Sequence, residues 1–365
     1  MTLHERVRAM MTEYENFRAV VEHRRPEWTP FGMYFTPDLE KRVIEHIGTN
    51  DIAAHYGMDQ RVWAGPKAPE GFQGPDHRKY WDGFAMPDGA WINGLGVVEV
   101  PGGFHHFTRY ISPLRNATSF REIEDYAVAD ATAFDWSPAA QAVANAHAEG
   151  KSTTIFIGHM YENAWQARGY EPFLLDTIER PEWAECMLDK FFRNNLHAAA
   201  QAARAGVDLI YCGDDVANQN ALMFSKDTWR RLILSRWAKV WQAVKDINPR
   251  CVIAYHTDGN CMDIVGEMLD AGLDFLNPVQ PECLDTDALK ARFGNRLGMD
   301  GCMGTQSTMP FGTPDDVRRR VKECVAKYGQ SGGLMLAPTH VLEPEVPLAN
   351  IDAYASACRE YGRLG

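Results

Sequence analysis

Positive charge is scarce in this chain of 365 residues. Lysine and arginine together number 37 against 49 aspartates and glutamates, which gives a formal net charge of -12. A protein whose main partner is nucleic acid or an anionic membrane usually presents an excess of basic residues. We therefore expect neither kind of partner, although this balance leaves room for a local basic pocket.

Long apolar runs and paired cysteines are also missing. No apolar run approaches the roughly 20 residues of a membrane-spanning helix, and the first residues lack the apolar core of a signal peptide. The eight cysteines are scattered, with no C-x-x-C pair. In a chain without a secretion signal this pattern indicates reduced, mostly buried thiols. We expect a cytoplasmic protein.

The common phosphate-binding patterns are absent as well. Neither G-x-G-x-x-G nor G-x-x-x-x-G-K-[ST] follows any predicted strand. The chain has no internal repeat, no low-complexity segment and no linker-like stretch. The simplest interpretation is one domain over residues 1–365.

Short apolar runs alternate with helical patterns from residue 153 onwards. Six of these runs are predicted to be strands, and they lie near residues 155, 209, 253, 275, 298 and 335. The short connections favour parallel strands. Two further strands, near residue 33 and within 60–115, would complete an α/β fold of the (β/α)8 TIM-barrel type. A doubly wound open sheet is the alternative.

The region before residue 119 is less regular. Residues 1–25 show helical spacing of apolar residues, which predicts an N-terminal helix. Residues 60–115 are rich in glycine, proline and tryptophan and are predicted to form a β-rich excursion, which could cover a site. Its aromatic side chains could line an apolar pocket or form a small core of their own: Trp63, Trp81, Trp91, Phe104 and Phe107.

Polar side chains follow nearly every predicted strand. Active sites of (β/α)8 barrels lie where the strands end. The concentration of polar residues at these strand ends favours catalysis or ligand binding at that rim. The residues concerned are His159, Asp214, Asp215, His256, Asp258, Asn277, Gln280, Asp300, Cys302, Gln306 and His340.

Two short segments at this rim carry the chemistry that we consider first. His256 and Asp258 are two residues apart after a buried strand, so they should point the same way. They form either a metal or proton-transfer pair or a purely structural pair. Of the adjacent Asp214 and Asp215, one should face the barrel axis and the other should cap the following helix. Cys302 is expected to be a buried small side chain rather than a ligand.

Other histidines are harder to interpret. His159, with Tyr161 and Glu162 after it, could contact substrate or form a structural cap. His105 and His106 could be ligands, but adjacent residues on a strand face opposite sides. Surface positions are therefore the favoured interpretation for that pair.

Several segments of the chain together are typical of one known superfamily. The chain resembles the uroporphyrinogen decarboxylase superfamily, and within it the branch of corrinoid-dependent methyltransferases. The resemblance is best over residues 205–361 and weaker over 15–45 and 150–180. The segments that carry it are Phe17–His23, Gly213–Asp215, His256–Gly259, Ala271–Asp274, Asn277–Pro281, Phe311–Val317, Gly332–His340 and Pro347–Ile351.

The resemblance implies a (β/α)8 barrel and a metal site. True uroporphyrinogen decarboxylases hold substrate carboxylates with an N-terminal arginine-rich segment, whereas residues 30–35 here contain no arginine. Porphyrinogen decarboxylation is therefore not expected. Methyltransferases of the family hold zinc by His-x-Cys and a later cysteine. These positions fall on His256, Asp258 and His340, so the resemblance implies a zinc site without thiolates.

The implied reaction transfers a methyl group from a small O-methyl donor to a corrinoid carried by a separate protein, with zinc polarising the leaving oxygen. Candidate roles divide into two sets. The catalytic candidates are Asp214, Asp215 and His159, and the substrate-binding candidates are Asn277, Gln280, Tyr161 and Gln306. A metal-independent decarboxylase or lyase that uses His/Asp acid–base chemistry, and a non-catalytic binding protein, are the alternatives. A homodimer remains open.

Overall fold

The protein was examined as a computed structural model, which describes residues 10–102 and 108–365. Seven strands form one parallel sheet in the order β1-β5-β6-β7-β8-β9-β10, and three form a separate antiparallel sheet, β2-β3-β4. Their bounds are β1 Val62–Trp63, β2 Trp91–Ile92, β3 Val98–Pro101, β4 Thr108–Ile111, β5 Thr153–His159, β6 Leu209–Gly213, β7 Val252–His256, β8 Phe275–Val279, β9 Gly298–Met303 and β10 Leu334–Pro338.

The segment 30–35 closes the parallel sheet into a barrel. Phe31 pairs in parallel with Leu336 of β10, and the Leu336 amide donates to the carbonyl of Pro30 at 2.9 Å. On its other side, the Phe31 carbonyl accepts from the amide of Asp59, three residues before β1, at 3.1 Å. The segment thus takes the eighth position. The predicted barrel is confirmed, and the open-sheet alternative is wrong.

Helices surround this barrel. Their bounds are α1 Glu13–Val21, α2 Pro37–Ile47, α3 Ile52–Tyr56, α4 Phe120–Glu124, α5 Ser137–Ala148, α6 Tyr161–Arg168, α7 Tyr170–Glu179, α8 Pro181–Ala205, α9 Lys226–Trp229, α10 Ser235–Ile247, α11 Val265–Asp270, α12 Thr286–Phe293, α13 Thr308–Phe311, α14 Pro314–Cys324 and α15 Leu348–Tyr361. A π-helical turn, Arg230–Leu234, joins α9 to α10. The predicted N-terminal helix is α1, and residues 1–9 lie outside the described chain.

The β7 strand shows how the apolar runs build the core. Val252 to Tyr255 are buried on both faces, as expected for a parallel strand covered by helices. Tyr255 lies edge-on against Trp237 and Trp241 of α10, with ring centroids 5.9 and 5.6 Å away. This packing fixes the end of β7, where His256 begins the site.

The amino end of the barrel is closed by a second apolar cluster. Phe17 and Val20 of α1 pack there with Met335 and with residues that begin the strands, including Leu209 and Val252. The N-terminal helix therefore plugs the barrel from below. Side chains above this plug face the open, carboxyl end.

The β-rich excursion is confirmed, and its aromatic residues divide between the two predicted roles. Trp81 is buried within it and donates to the Gly96 carbonyl at 2.9 Å, so it belongs to a local core. Trp91, on β2, is 48% exposed. Trp63 lies on β1 of the barrel itself. Phe104, Phe107, His105 and His106 lie outside the described residues.

The cysteines are unpaired and mostly buried, as the sequence predicted. All eight cysteines are free thiols, and six of them are buried. Cys302 is fully buried, as expected for a small core side chain. In the described part of the chain, no helix combines the length and the apolar character needed to cross a bilayer.

Candidate functional site

A cavity of about 520 Å³ opens at the carboxyl ends of the strands and reaches down into the barrel. Its size is that of ordinary small-molecule sites. The lining residues come from the 30–35 segment, from all seven parallel strands and from the loops that adjoin them. They include Tyr34, Arg61, Trp63, Phe156, His159, Tyr211, His256, Asn277, Asp300, Thr339 and His340. Five of the eleven rim residues expected from the sequence line this cavity: His159, His256, Asn277, Asp300 and His340.

His256 is held in one orientation by Asn277. Nδ1 of His256 lies 2.7 Å from Oδ1 of Asn277, while the Asn277 amide hydrogen-bonds the carboxyl group of Asp300. Since the amide NH2 group is directed at that carboxyl, Oδ1 must accept, and Nδ1 of His256 must carry the proton. The lone pair on Nε2 is then free. A partner that fixes the far nitrogen in this way is typical of a metal-binding histidine.

Two carboxylates lie beside that free nitrogen. The β6–β7 register pairs Gly213 with His256, so the segments that follow run side by side. The Asp258 amide donates to Oδ1 of Asp215 at 2.7 Å, and the same oxygen lies 3.7 Å from Nε2 of His256. Potential ligand atoms of all three residues lie within 4.8 Å of one another. We call Asp215, His256 and Asp258 the rim triad.

Charge repulsion within the rim triad would be relieved by a cation. Burial raises the pKa of Asp258, and the nearby negative charge of Asp215 raises it further. His256 and His340 act in the opposite direction. Imidazole nitrogen and carboxylate oxygen are both normal ligands of catalytic zinc. The residues present therefore fit a divalent metal ion.

His340 lies at the mouth of the site rather than within the triad. It is exposed and lines both the main cavity and a neighbouring cavity of about 470 Å³. Its charge acts on Asp258. The predicted set of His256, Asp258 and His340 is thus brought into one region, but the structure places Asp215 closer to the first two.

Asp214 is a structural acceptor at the start of α6. It is fully buried, and Oδ1 accepts from the amides of Met160 and Glu162 at 2.8 and 3.1 Å. Oδ2 accepts from Nε1 of Trp237 at 2.7 Å. The prediction that only one of the two aspartates faces the axis is consistent with this arrangement. The prediction that the other caps the following helix is wrong, because its contacts are with the earlier α6.

His159 is tied into the same region by ionic contacts. Nδ1 lies 2.7 Å from the Gly213 carbonyl and 3.0 Å from Oε1 of Glu162, and that carboxylate also accepts from the Asp215 amide. Burial alone would lower the pKa of His159. The hydrogen bond and charge of Glu162, with the charge of Asp214, outweigh burial and raise it to about 9. His159 therefore carries a positive charge into the cavity wall at neutral pH.

Asp214 responds to its surroundings in the opposite sense. Burial raises its pKa to about 7, against the charge of His159 and the hydrogen bond from Trp237. The three groups His159, Glu162 and Asp214 also lie close enough to hold a metal ion. Each already has hydrogen-bond partners, so we interpret them as an ion-paired support for the rim triad.

The other predicted substrate-binding residues separate into three environments. Asn277 lines the main cavity, but its amide is committed to His256 and Asp300. Tyr161 is fully buried between the rings of Phe173 and Phe224, so its prediction as a cavity residue is wrong. Gln280 and Gln306 line the neighbouring cavity, where Oε1 of Gln306 accepts from Gln219 at 2.8 Å.

Sequence reasoning missed the polar floor of the main cavity. Arg61 and Asp59 precede β1, and Tyr211 and Asp300 lie inside β6 and β9, with the Tyr211 hydroxyl donating to Asp300 at 2.6 Å. We call these four residues the barrel floor. Asp300 was noted only as a polar residue near a strand end. No local motif marks Arg61, because only the closure of the barrel brings it beneath the rim.

The comparisons with known proteins agree with this geometry. The sequence pattern of the uroporphyrinogen decarboxylase family matches residues 111–361, more than half of the chain. The chain belongs to this family. The match covers β5 to β10 and therefore includes the whole rim triad.

The chain is also similar to two proteins of Methanosarcina mazei, one by sequence and one by structure. Methylated-thiol–coenzyme M methyltransferase of Methanosarcina mazei is 23% identical over 197 residues, which are 53% of this chain and 48% of that protein. The chain thus spans about half the length of this curated relative. A solved methyltransferase structure from Methanosarcina mazei has a TM-score of 0.65 at 19% identity, covering 96% of this chain and 99% of the other. This likeness confirms the family fold over nearly the entire chain.

Proposed function

We propose that this protein is a methyltransferase that removes a methyl group from a small O-methyl compound and delivers it to a corrinoid carried by a partner protein. The observation that carries the proposal is the rim triad, in which His256 lines the ligand-sized main cavity and Asp258 lines the neighbouring cavity. Similarity to a methyltransferase over about half of the chain supports the same reaction class. The corrinoid and its carrier are part of the proposal by analogy with the family.

The rim triad would hold a zinc ion, with His340 as a further ligand at the mouth. A bound zinc ion would act as a Lewis acid toward the atom that leaves when the methyl group is transferred. Two carboxylates in the set would leave the ion less electron-poor than the single carboxylate expected from the sequence. The triad contains no thiolate, and on this ground we propose an oxygen rather than a sulfur donor.

The protein's own groups have distinct tasks in this proposal. Asn277 fixes the His256 ring, so that Nε2 faces Asp215 and Asp258. Binding of a metal ion then requires no further ordering of this ring. His159 holds a positive charge at the cavity wall, where it would stabilise an oxyanion released from the donor. Gln280 and Gln306 would hydrogen-bond a ligand group that reaches the neighbouring cavity. Asp214, which follows β6, holds the start of α6 in place through the amides of Met160 and Glu162.

Methyl transfer to free cob(I)alamin tests the proposal directly. The purified protein is mixed with a panel of methyl ethers, and methylcobalamin is followed by its absorption spectrum. We expect one or more ethers to be demethylated, and His256→Ala to lower the rate by at least about a hundredfold. His55→Ala, which removes an exposed histidine of α3, should leave the rate unchanged. No methylcobalamin with any ether, or equal rates for both variants, would contradict the proposal.

A metal-independent lyase is the second candidate, and one observation favours it. His159 is charged at neutral pH and lies beside Asp214, whose pKa is about 7. Groups with such displaced pKa values are common among general acids and bases. Release of carbon dioxide from a carboxylic acid, with full activity retained in chelator and lost in His159→Gln, would select this function over methyl transfer.

A further inference from the structure

Arg61 is a cation inside the barrel that has no carboxylate partner in direct contact among the residues that the structure describes. It lines the main cavity, and its guanidinium carbon lies 5.6 Å from the centre of the Phe17 ring in the apolar plug. Within the described chain, its hydrogen bond goes to the thioether sulfur of Met335. Among the described residues, no ion pair includes Arg61. A guanidinium has five N–H donors, and a thioether is a weak acceptor.

The neighbouring carboxyl groups are occupied elsewhere. Asp59 accepts from Nε1 of Trp28 at 2.8 Å and from the Phe31 amide at 3.0 Å. Asp300 accepts from Tyr211 and Asn277. Burial raises the pKa of both aspartates, and their charges act on Arg61 from beyond ion-pair distance. Most of the guanidinium's donors are thus left for something in the cavity.

The walls above Arg61 define the body of that ligand. Three large aromatic side chains that line this cavity are solvent-exposed: Tyr34 is 75% exposed, Trp63 59% and Phe156 39%. Exposed aromatic faces gathered in one cavity are typical of a binding site for a flat, apolar group. The Phe156 ring is held edge-on by His159, with centroids 4.9 Å apart.

We propose that Arg61 anchors the carboxylate of an aromatic ligand that lies between Tyr34, Trp63 and Phe156 and extends toward the rim triad. Planar guanidinium groups bind carboxylates through two parallel hydrogen bonds, which neutral amides cannot match. This inference rests on the proposed function for the methylated end of the ligand. The substrate class is then methoxylated aromatic carboxylic acids. Arg61 in the barrel floor would bind the carboxylate, and the methyl ether would lie at the rim triad.

Equilibrium binding of two matched probes tests the role of Arg61 without any turnover. Calorimetry with the purified full chain compares para-methoxybenzoate with its neutral isostere para-methoxybenzamide. We expect the acid to bind at least about tenfold more tightly, and Arg61→Gln to abolish this preference. Arg121→Gln, which changes a side chain that is 85% exposed, should preserve it. Trp63→Ala should weaken both probes to a similar extent.

Several results would overturn the inference. These are failure of both probes to bind, equal binding of the two by the unaltered protein, or an unchanged preference in Arg61→Gln. Should Arg61→Gln fail to fold by circular dichroism, Arg61→Lys keeps the charge without the planar fork and should retain only part of the preference. An undiminished preference in that variant would also contradict the inference.

The outcome separates this inference from the proposed function. In one outcome, the protein prefers the carboxylate through Arg61 and yet forms no methylcobalamin. This result would contradict the proposed methyl transfer and support carboxylate binding by Arg61. Alternatively, the unaltered protein and Arg61→Gln could both form methylcobalamin equally well from the acid and the amide. This result would support methyl transfer and contradict carboxylate binding by Arg61.

Discussion

His256 has one nitrogen committed to the protein and one directed at two carboxylates. The commitment depends on Asn277, which sits between His256 and Asp300 and can satisfy both only in one amide orientation. The chain Tyr211–Asp300–Asn277–His256 thus connects the barrel floor to the rim. A change at the floor can alter the orientation of the ring that we propose as a zinc ligand.

Asn277→Ala tests this coupling. The His256 ring would lose its fixed orientation, and we expect zinc affinity to fall by about 10- to 100-fold, as is usual for residues that orient ligands. Competition with a chromogenic chelator measures the affinity. Asn295→Ala, at an exposed asparagine after α12, is the matched control and should bind zinc normally. Unaltered affinity in Asn277→Ala would show that Asn277 does not position the histidine.

The charge on His159 predicts a pH dependence of stability. Its pKa is about 9 in the folded protein and 6.5 in the unfolded chain. A raised folded pKa contributes stability that is fully present below about pH 6.5 and is lost as the pH rises through about 9. The full contribution is up to about 3 kcal/mol, at 1.36 kcal/mol per pKa unit.

Urea unfolding of the unaltered protein and of His159→Gln measures this contribution. We expect the unaltered protein to be more stable near pH 6, and the difference to shrink toward pH 10. Comparison of the two proteins at each pH removes the effect of other titrating groups. A difference that grows with pH would mean that His159 is neutral in the folded protein.

At the scale of elements, the site is built from adjacent strand ends. Parallel pairing of β6 with β7 brings Asp215 beside Asp258, and the turn after β5 begins α6 with its amides on Asp214. Two aspartates that are neighbours in sequence therefore have unrelated tasks. Asp214 supports a helix, and Asp215 lies beside His256 and Asp258 in the rim triad.

The pair Asp214→Asn and Asp215→Asn separates these tasks. At Asp214 the amide places an N–H group against one of three buried donors, so we expect a loss of about 2–4 kcal/mol of unfolding free energy. At Asp215 the amide keeps the acceptor for the Asp258 N–H group, and stability should change by less than about 1 kcal/mol while zinc binding falls. Thermal melts and zinc titration measure the two effects. The reverse pattern would contradict the assigned roles.

The sequence predicted the strands well because each is a short apolar run between turn residues. It therefore located His159, Asp215, His256 and Asp258 correctly at one rim. It did not predict α6 and α7, whose apolar residues show weak periodicity. As a result, Tyr161 was expected in the cavity when it is a core residue of α6.

What the sequence did not reveal depends on contacts between distant segments. Asp215 rather than His340 completes the close triad, because strand register decides which side chains meet. Arg61 reaches the floor only because segment 30–35 closes the barrel between β10 and the residues before β1. Neither fact leaves a local signal in the sequence.

At the scale of the whole molecule, the barrel gives the cavity two chemically different ends. The amino end is sealed by the apolar plug under α1, with Arg61 above it, and the carboxyl end carries the rim triad. The net charge of -12 does not describe this interior, where Arg61 and His159 face the ligand space beside the carboxyl groups of Asp59 and Asp300. In the binding mode that we propose, the ligand lies along the barrel axis with its reacting end toward the opening.

The zinc content of the purified protein tests the central claim, that the rim triad is a metal site. Elemental analysis after zinc loading and dialysis should give about one zinc ion per chain. Asp215→Asn and His256→Ala should lose most of it, while Arg121→Gln, His55→Ala and the unaltered protein should keep it. No retained zinc in the unaltered protein, or equal zinc in His256→Ala, would contradict the account.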